Sequence, residues 1–146
     1  MNNHNLIVFK KVLLIFILFV LGQNLNAQLT IEITNIKEIK GRIELGLYNI
    51  PETYLSLTDQ YKLIYHPVKN LTETIIIDTL PKGWYAISIM QDTNENGEMD
   101  KNFFRYPLEP YGFSNNYHPR ISKPDFEDAE FYYNGKYLKL TIALIH

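Results

Sequence analysis

Between residues 91 and 102 the chain reads QDTNENGEMDKN, with the spacing of an oxygen-ligand loop. Asp92, Asn94 and Asn96 stand at alternate positions, Gly97 follows where the chain must turn, and Asp100 holds the ninth position. In a calcium loop of the EF-hand kind, alternate side chains converge on one centre, and the seventh residue offers its backbone carbonyl. The seventh residue here is Glu98. The twelfth, which should supply a bidentate carboxylate, is Phe103, and no helical periodicity flanks the loop. The missing oxygens must then come from Glu109, or from Asp128 and its neighbour Asp125, folding back. Asp92, Glu95, Glu98 and Asp100 repel one another unless a cation or outward splay relieves them. Hard oxygen donors without Cys or a nearby His select Ca²⁺ over Zn²⁺. The alternative is a turn in which Asx side chains cap backbone N–H groups and no ion is needed. The expectation is a Ca²⁺ site.

A second constellation is aromatic. Tyr106, Tyr111, Phe113, Tyr117 and Phe126 crowd a region rich in Gly, Asn and Pro. Rigid rings give contact area at low entropic cost, so they are candidates to bind a protein, peptide or glycan. Alternatively, they pin a long loop to the domain. Catalytic patterns are weak. His66 and His118 each precede a proline, and Ser114 with His118 has no orienting acid in view. Neither G-x-S-x-G nor H-E-x-x-H occurs. The chain therefore reads as a non-catalytic binding or accessory domain. The alternative is a hydrolase using loop carboxylates, which would need two unpaired carboxylates with a raised pKa in one cleft.

The elements that must position these residues begin after an export signal. Lys10 and Lys11 precede the apolar run Val12–Gly22, and a polar stretch ends in Ala27, the pattern of a cleaved signal peptide over residues 1–27. Retention of the run as an anchor is the alternative, although it is shorter than the roughly 20 residues a membrane helix needs. The expected location is the periplasm, the cell envelope or the medium, with no integral membrane segment after cleavage. No cysteine occurs anywhere, so no disulfide framework supports the fold. Lys10 and Lys11 account for two of the 14 basic residues, so residues 28–146 carry 12 against 16 acids. That balance gives no electrostatic case for nucleic acid.

Residues 28–146 form one expected domain. Leu29, Ile31 and Ile33 alternate with polar residues, as do Ile43, Leu45 and Leu47, and Gly41 suggests a hairpin between the two runs. Pro51–Val68 fits a short helix or a crossover. Ile75 and Ile77 oppose Thr72, Thr74 and Ile76; after a turn at Pro81–Gly83, Tyr85, Ile87 and Ile89 alternate with Ala86, Ser88 and Met90. Trp84 beside that turn reads as a core plug. Asn134-Gly135 marks a last turn before Leu138, Leu140, Ile142 and Leu144. About seven short strands, with a long ordered loop region from Phe103 to Glu130, predict an all-β, Greek-key sandwich. Strands of this length without aromatic girdles do not describe a membrane barrel.

Several stretches taken together resemble the exported bacterial DUF2141 family, a domain of unknown function. They are Gly41 to Tyr48 (G-x-I-x-L-x-L-Y), Gly83 with Tyr85 and Ala86, Asp92 through Asp100, Pro107 through Ser114, and Phe126 with Asp128 and Ala129. Pro110 departs from the family's glycine and fixes φ near −65° there. The resemblance implies a transthyretin-like or immunoglobulin-like β-sandwich and supplies no activity.

Overall fold

Alternation of period two governs the described chain, residues 27–120 and 122–146 of a computed structural model. Residues 1–26 of the expected export signal lie outside the described residues. Eight strands form: β1 (Gln28–Thr34), β2 (Arg42–Tyr48), β3 (Lys62–Pro67), β4 (Glu73–Asp78), β5 (Gly83–Asp92), β6 (Tyr111–Phe113), β7 (Glu130–Tyr133) and β8 (Leu138–Ala143). A mixed sheet has the order β4-β1-β8, with β1 and β8 parallel. An antiparallel sheet has the order β3-β2-β5-β6. β7 shares the β6 edge of β5: β6 covers Ser88–Met90, while β7 covers Gly83–Ala86. Among the described residues, no helix is long and apolar enough to cross a membrane.

Inward positions of the two sheets build one core. Leu29, Ile31 and Ile33 meet Ile75 and Ile77 on one side of their sheet and Ile142 on the other, and the facing sheet contributes Ile43, Leu45, Leu47, Ile87 and Ile89. Each such side chain, once buried, is worth about 1.5–3 kcal/mol, so the paired alternation fixes which face turns inward. A second cluster covers the outer face of the five-stranded sheet. There Tyr48 and Ala86 lie under Phe113, Phe126 and Ala129, with Tyr54, Leu55, Tyr111 and Tyr117 packed around them. Gly46 makes this possible, because a Cβ there would stand 2.8 Å from the Tyr48 hydroxyl.

Three local expectations need correction. β1 and β2 are not a hairpin: they belong to different sheets, and residues 35–41 cross between them. The crossover is held by Ile36 in the core and by the Gln91 side-chain amide, which donates to the Glu38 and Lys40 carbonyls. Pro51–Val68 does open on a short helix, a 3-10 turn at Pro51–Thr53, but it also holds β3, whose apolar Leu63 and Tyr65 remain exposed at the sheet edge. That exposure hid the strand's pattern. Trp84 is no core plug. It occupies the outer face of β5 and is 54% exposed, beside Tyr132 of β7.

Gly41 should tolerate no side chain. Its φ is +66°, and a Cβ would fall 2.0 Å from the Asp92 carbonyl oxygen. Gly41→Ala is expected to lose the roughly 1–3 kcal/mol of a strained φ, plus the cost of moving the β5 end. Urea unfolding of residues 28–146 measures the loss.

Candidate functional site

Asp92 ends β5 on the outer face of its sheet, opposite Arg42 of β2. Its side chain is 0% exposed, and a buried carboxylate must be paired. Arg42 Nη2 stands 3.0 Å from Asp92 Oδ2. The Gly97 N–H donates to the same oxygen at 2.9 Å, and the Asn96 N–H to Oδ1 at 3.1 Å. Gly97 reaches this position with φ +79°, which explains why a glycine stands there. Arg42 also donates to Glu44 Oε1 from Nε and Nη2, and its guanidinium lies 4.6 Å from the Tyr65 ring centre. Burial pushes the Glu44 carboxyl above its ordinary pKa, and neighbouring Asp92 adds to the shift while Arg42 opposes it.

The rest of the loop closes on itself. Asn94 Oδ1 accepts from the Asn96 N–H, and Asn96 Oδ1 from the Glu98 N–H. Both amide groups then turn to Asp100: Asn94 Nδ2 donates at 2.7 Å and Asn96 Nδ2 at 3.2 Å, one to each oxygen. Glu109, also buried, closes the base of the loop. Its Oε1 accepts from the Thr93 N–H and hydroxyl, and its Oε2 from the Asp100 N–H at 3.3 Å.

Asp92, Asn94, Asn96, Asp100 and Glu109 are thus gathered at one end of the sandwich. Glu98 is on the exposed rim of the loop. Asp128 is not brought there. It lies in a one-turn helix, α1 (Phe126–Ala129), where its carboxylate accepts from the Asp125 N–H in a capping box. The next residue but one, Glu130, pairs with Ala86, six residues along β5 from Asp92, so the chain returns to the sheet roughly 20 Å from the loop. Among the described residues, no three His, Cys, Asp or Glu side chains are grouped to hold a metal. Any ion would therefore depend on the asparagine oxygens as well as on Asp92 and Asp100.

Four of the five aromatic candidates prove to be packing residues. Phe113 and Phe126 are buried in the outer cluster, with Tyr111 and Tyr117 against them. Phe113 and Phe126 offer no open ring face, while Tyr111 and Tyr117 are half-buried. Tyr106 alone stays exposed. Ser114 has no free hydroxyl for nucleophilic attack: it accepts from the Ile87 N–H and donates to the Ala129 carbonyl. An exposed aromatic pair went unrecognised in the sequence, Trp84 with Tyr132, its rings 5.3 Å apart. Trp84 borders a cavity of about 360 Å³ lined also by Asn49, Tyr61 and Lys82. The cross-strand register that joins the two rings is set by β7, whose pairing partner the sequence pattern does not reveal.

The class this architecture defines is a two-sheet β-sandwich with a polar, side-chain-capped loop at one end. Its family follows from comparison: the sequence model described as an uncharacterized protein conserved in bacteria (DUF2141) matches residues 31–141, and the chain belongs to that family. No curated protein and no solved structure matches it.

Two measurements check the electrostatics. Asp92→Ala should cost about 1–3 kcal/mol, because it leaves two loop N–H groups without an acceptor and takes one of the two carboxylate partners from Arg42, and should speed hydrogen exchange at Asn96 and Gly97. Glu73, at the start of β4, is buried. Desolvation opposes its charged form, but His66 Nε2 at 2.9 Å and the Lys69 and Asn70 N–H groups outweigh it and hold its pKa below the ordinary value. A lowered folded pKa contributes stability above the unfolded value of 4.5, and that stability is lost as pH falls through the folded value. Glu73→Gln should flatten this acid limb in urea unfolding as a function of pH.

Proposed function

We propose that the chain is an exported, non-catalytic accessory domain whose Asp92–Asp100 loop takes Ca²⁺ weakly. The observation that supports the reading is convergence: the Asn94 and Asn96 side chains meet both oxygens of Asp100. Turning each amide through half a revolution would replace N–H donors with carbonyl oxygens facing the same centre. Asp100, Asn94 and Asn96 would then offer side-chain oxygens, with one Asp92 oxygen and the Glu98 carbonyl beside them. Phe103 removes the usual bidentate ligand, and Glu109 is occupied by backbone N–H groups, so affinity falls near the extracellular range of roughly 10⁻⁴ to 10⁻³ M. The non-catalytic reading is supported by Arg42, which pairs the two carboxylates nearest the loop on that face, Glu44 and Asp92. A hydrolase would need two carboxylates free of such a partner. Connections that pass from sheet to sheet between β1 and β2, β3 and β4, and β4 and β5 fit a Greek-key naming of the transthyretin-like or immunoglobulin-like kind.

Calcium should raise the melting temperature of residues 28–146 by the linkage increment RT ln(1 + [L]/Kd). Asp100→Ala should abolish the increment while leaving Asp92 and its partners in place. Asp59→Ala, whose carboxylate binds only Ser56 and Thr58, should leave the increment unchanged. Absence of both a binding heat and a thermal shift at about 10 mM calcium, an order above that affinity range, would leave a self-capped turn.

A further inference from the structure

Residues 101–108 form a small hairpin that carries its apolar side chains outward. Lys101 bridges Pro107, the Asn102 N–H donates to the Tyr106 carbonyl, and the Arg105 N–H donates to the Asn102 carbonyl at 2.9 Å. Asn102 Oδ1 accepts from both the Phe104 and the Tyr106 N–H groups. The tip is therefore hydrogen-bonded rather than slack, yet Phe103 is 94% exposed, Phe104 76%, Tyr106 68% and Leu108 65%. Arg105 sits at φ +65°, a conformation unfavourable for a side chain of its size. A strained turn that holds four large apolar side chains in water serves nothing in the folded core, and strain of this kind gathers at working surfaces.

We propose that this hairpin is a membrane-docking tip that seats Phe103, Phe104, Tyr106 and Leu108 in the interfacial layer of a phospholipid bilayer. Three features favour lipid over a protein partner. The apolar groups crown a convex finger, which suits a deformable phase rather than a preformed groove. At about 200 Å² per aromatic, the crown offers roughly 600 Å², short of the about 800 Å² that each side of a standard protein interface contributes. Its own charged residues, Lys101 and Arg105, are both exposed and flank the rings, as phosphate headgroups around an inserted apolar tip require.

The topology adds a plane of contact. Residues 35–41 and 68–72 connect strands at the same end of the sandwich as the hairpin, because Arg42 pairs with both Pro67 and Asp92. Those connectors expose Ile39 and Leu71 and carry Lys37, Lys40 and Lys69. Gln28 pairs with Asp78 at the opposite end.

The experiment is vesicle co-sedimentation of residues 28–146, a span containing all eight strands and both apolar clusters. Vesicles of phosphatidylcholine with roughly one-third phosphatidylglycerol supply the anionic surface. Phe103→Ser with Phe104→Ser should weaken binding at least about tenfold, given the apolar area lost. Tyr106→Ser with Leu108→Ser should also weaken it. Trp84→Ala, an exposed apolar change at the far end, should leave binding unaltered. Failure of the wild-type protein to sediment with vesicles, or equal losses in the Trp84 variant, would overturn the proposal. So would self-association that the Phe103/Phe104 variant abolishes without any vesicle binding. Chelator and about 1 mM calcium arms separate this inference from the calcium reading. Docking that persists in chelator supports the tip alone, whereas a calcium thermal shift without docking refutes the tip and keeps the ion.

Discussion

The end of β5 is organised by one buried charge. Asp92 cannot be removed from water without partners, and it draws them from two separate parts of the chain, β2 and the loop that follows β5. Arg42 brings in β2, and through Glu44 and Tyr65 it reaches across to β3. The Asn96 and Gly97 N–H groups fold the acidic loop back over the carboxylate, which forces Gly97 into positive φ. The Asp92 carbonyl meanwhile occupies the space a side chain on Gly41 would need, so the crossover between the sheets passes just there. Loop shape and the pairing of the β2 and β5 ends follow from solvating a single carboxylate with protein, and the backbone carbonyl of the same residue borders the crossover.

The opposite half of the sheet's outer face depends on small residues. Gly46 leaves room for the Tyr48 ring to lie across the strand, and the Tyr48 hydroxyl donates to the Ser56 carbonyl. Ser114 joins β5 to the last residue of α1 through Ile87 and Ala129. These contacts hold the aromatic-rich region down as a second layer of core. Its rings are thus consumed by packing, with Tyr48 against Tyr54 and Tyr54 against Phe126 edge to face. Such pairs add about 0.5–1.5 kcal/mol beyond their buried area. What remains outside is sorted by position: Trp84 and Tyr132 at one end, the Phe103–Leu108 hairpin at the other.

The fold class was legible because β1, β2, β4, β5 and β8 alternate cleanly, and Leu138, Leu140 and Ile142 do face the main core. Pairing was not legible. Period two tells which side chains share a face, but it does not tell which strand lies alongside, so Gly41 looked like a hairpin bend although the crossover separates two sheets. Short β6 and β7 carry three and four residues, too few to show a period among prolines and asparagines. The convergence of Asp92, Asn94, Asn96 and Asp100 was visible from spacing, since it is local. Glu109 returns to the loop and Asp128 does not, because β-pairing decides which distant carboxylate comes back there. Arg42 left no signal, being fifty residues upstream of the charge it meets.

The acidic loop and the apolar hairpin are mechanically one unit. Glu109 binds the start of the loop through Thr93 and its end through Asp100, while the Asp100 carbonyl accepts from the Leu108 N–H. One carboxylate therefore closes the loop at the point where the hairpin leaves it. An ion at Asp100 would pull the Asn94 and Asn96 side chains around and reduce the repulsion among four neighbouring acids. The Asp100 backbone, fixed between Glu109 and Leu108, would transmit that tightening to the hairpin's base. An ion in the loop would in that case act on the exposed rings through a backbone path of a few residues.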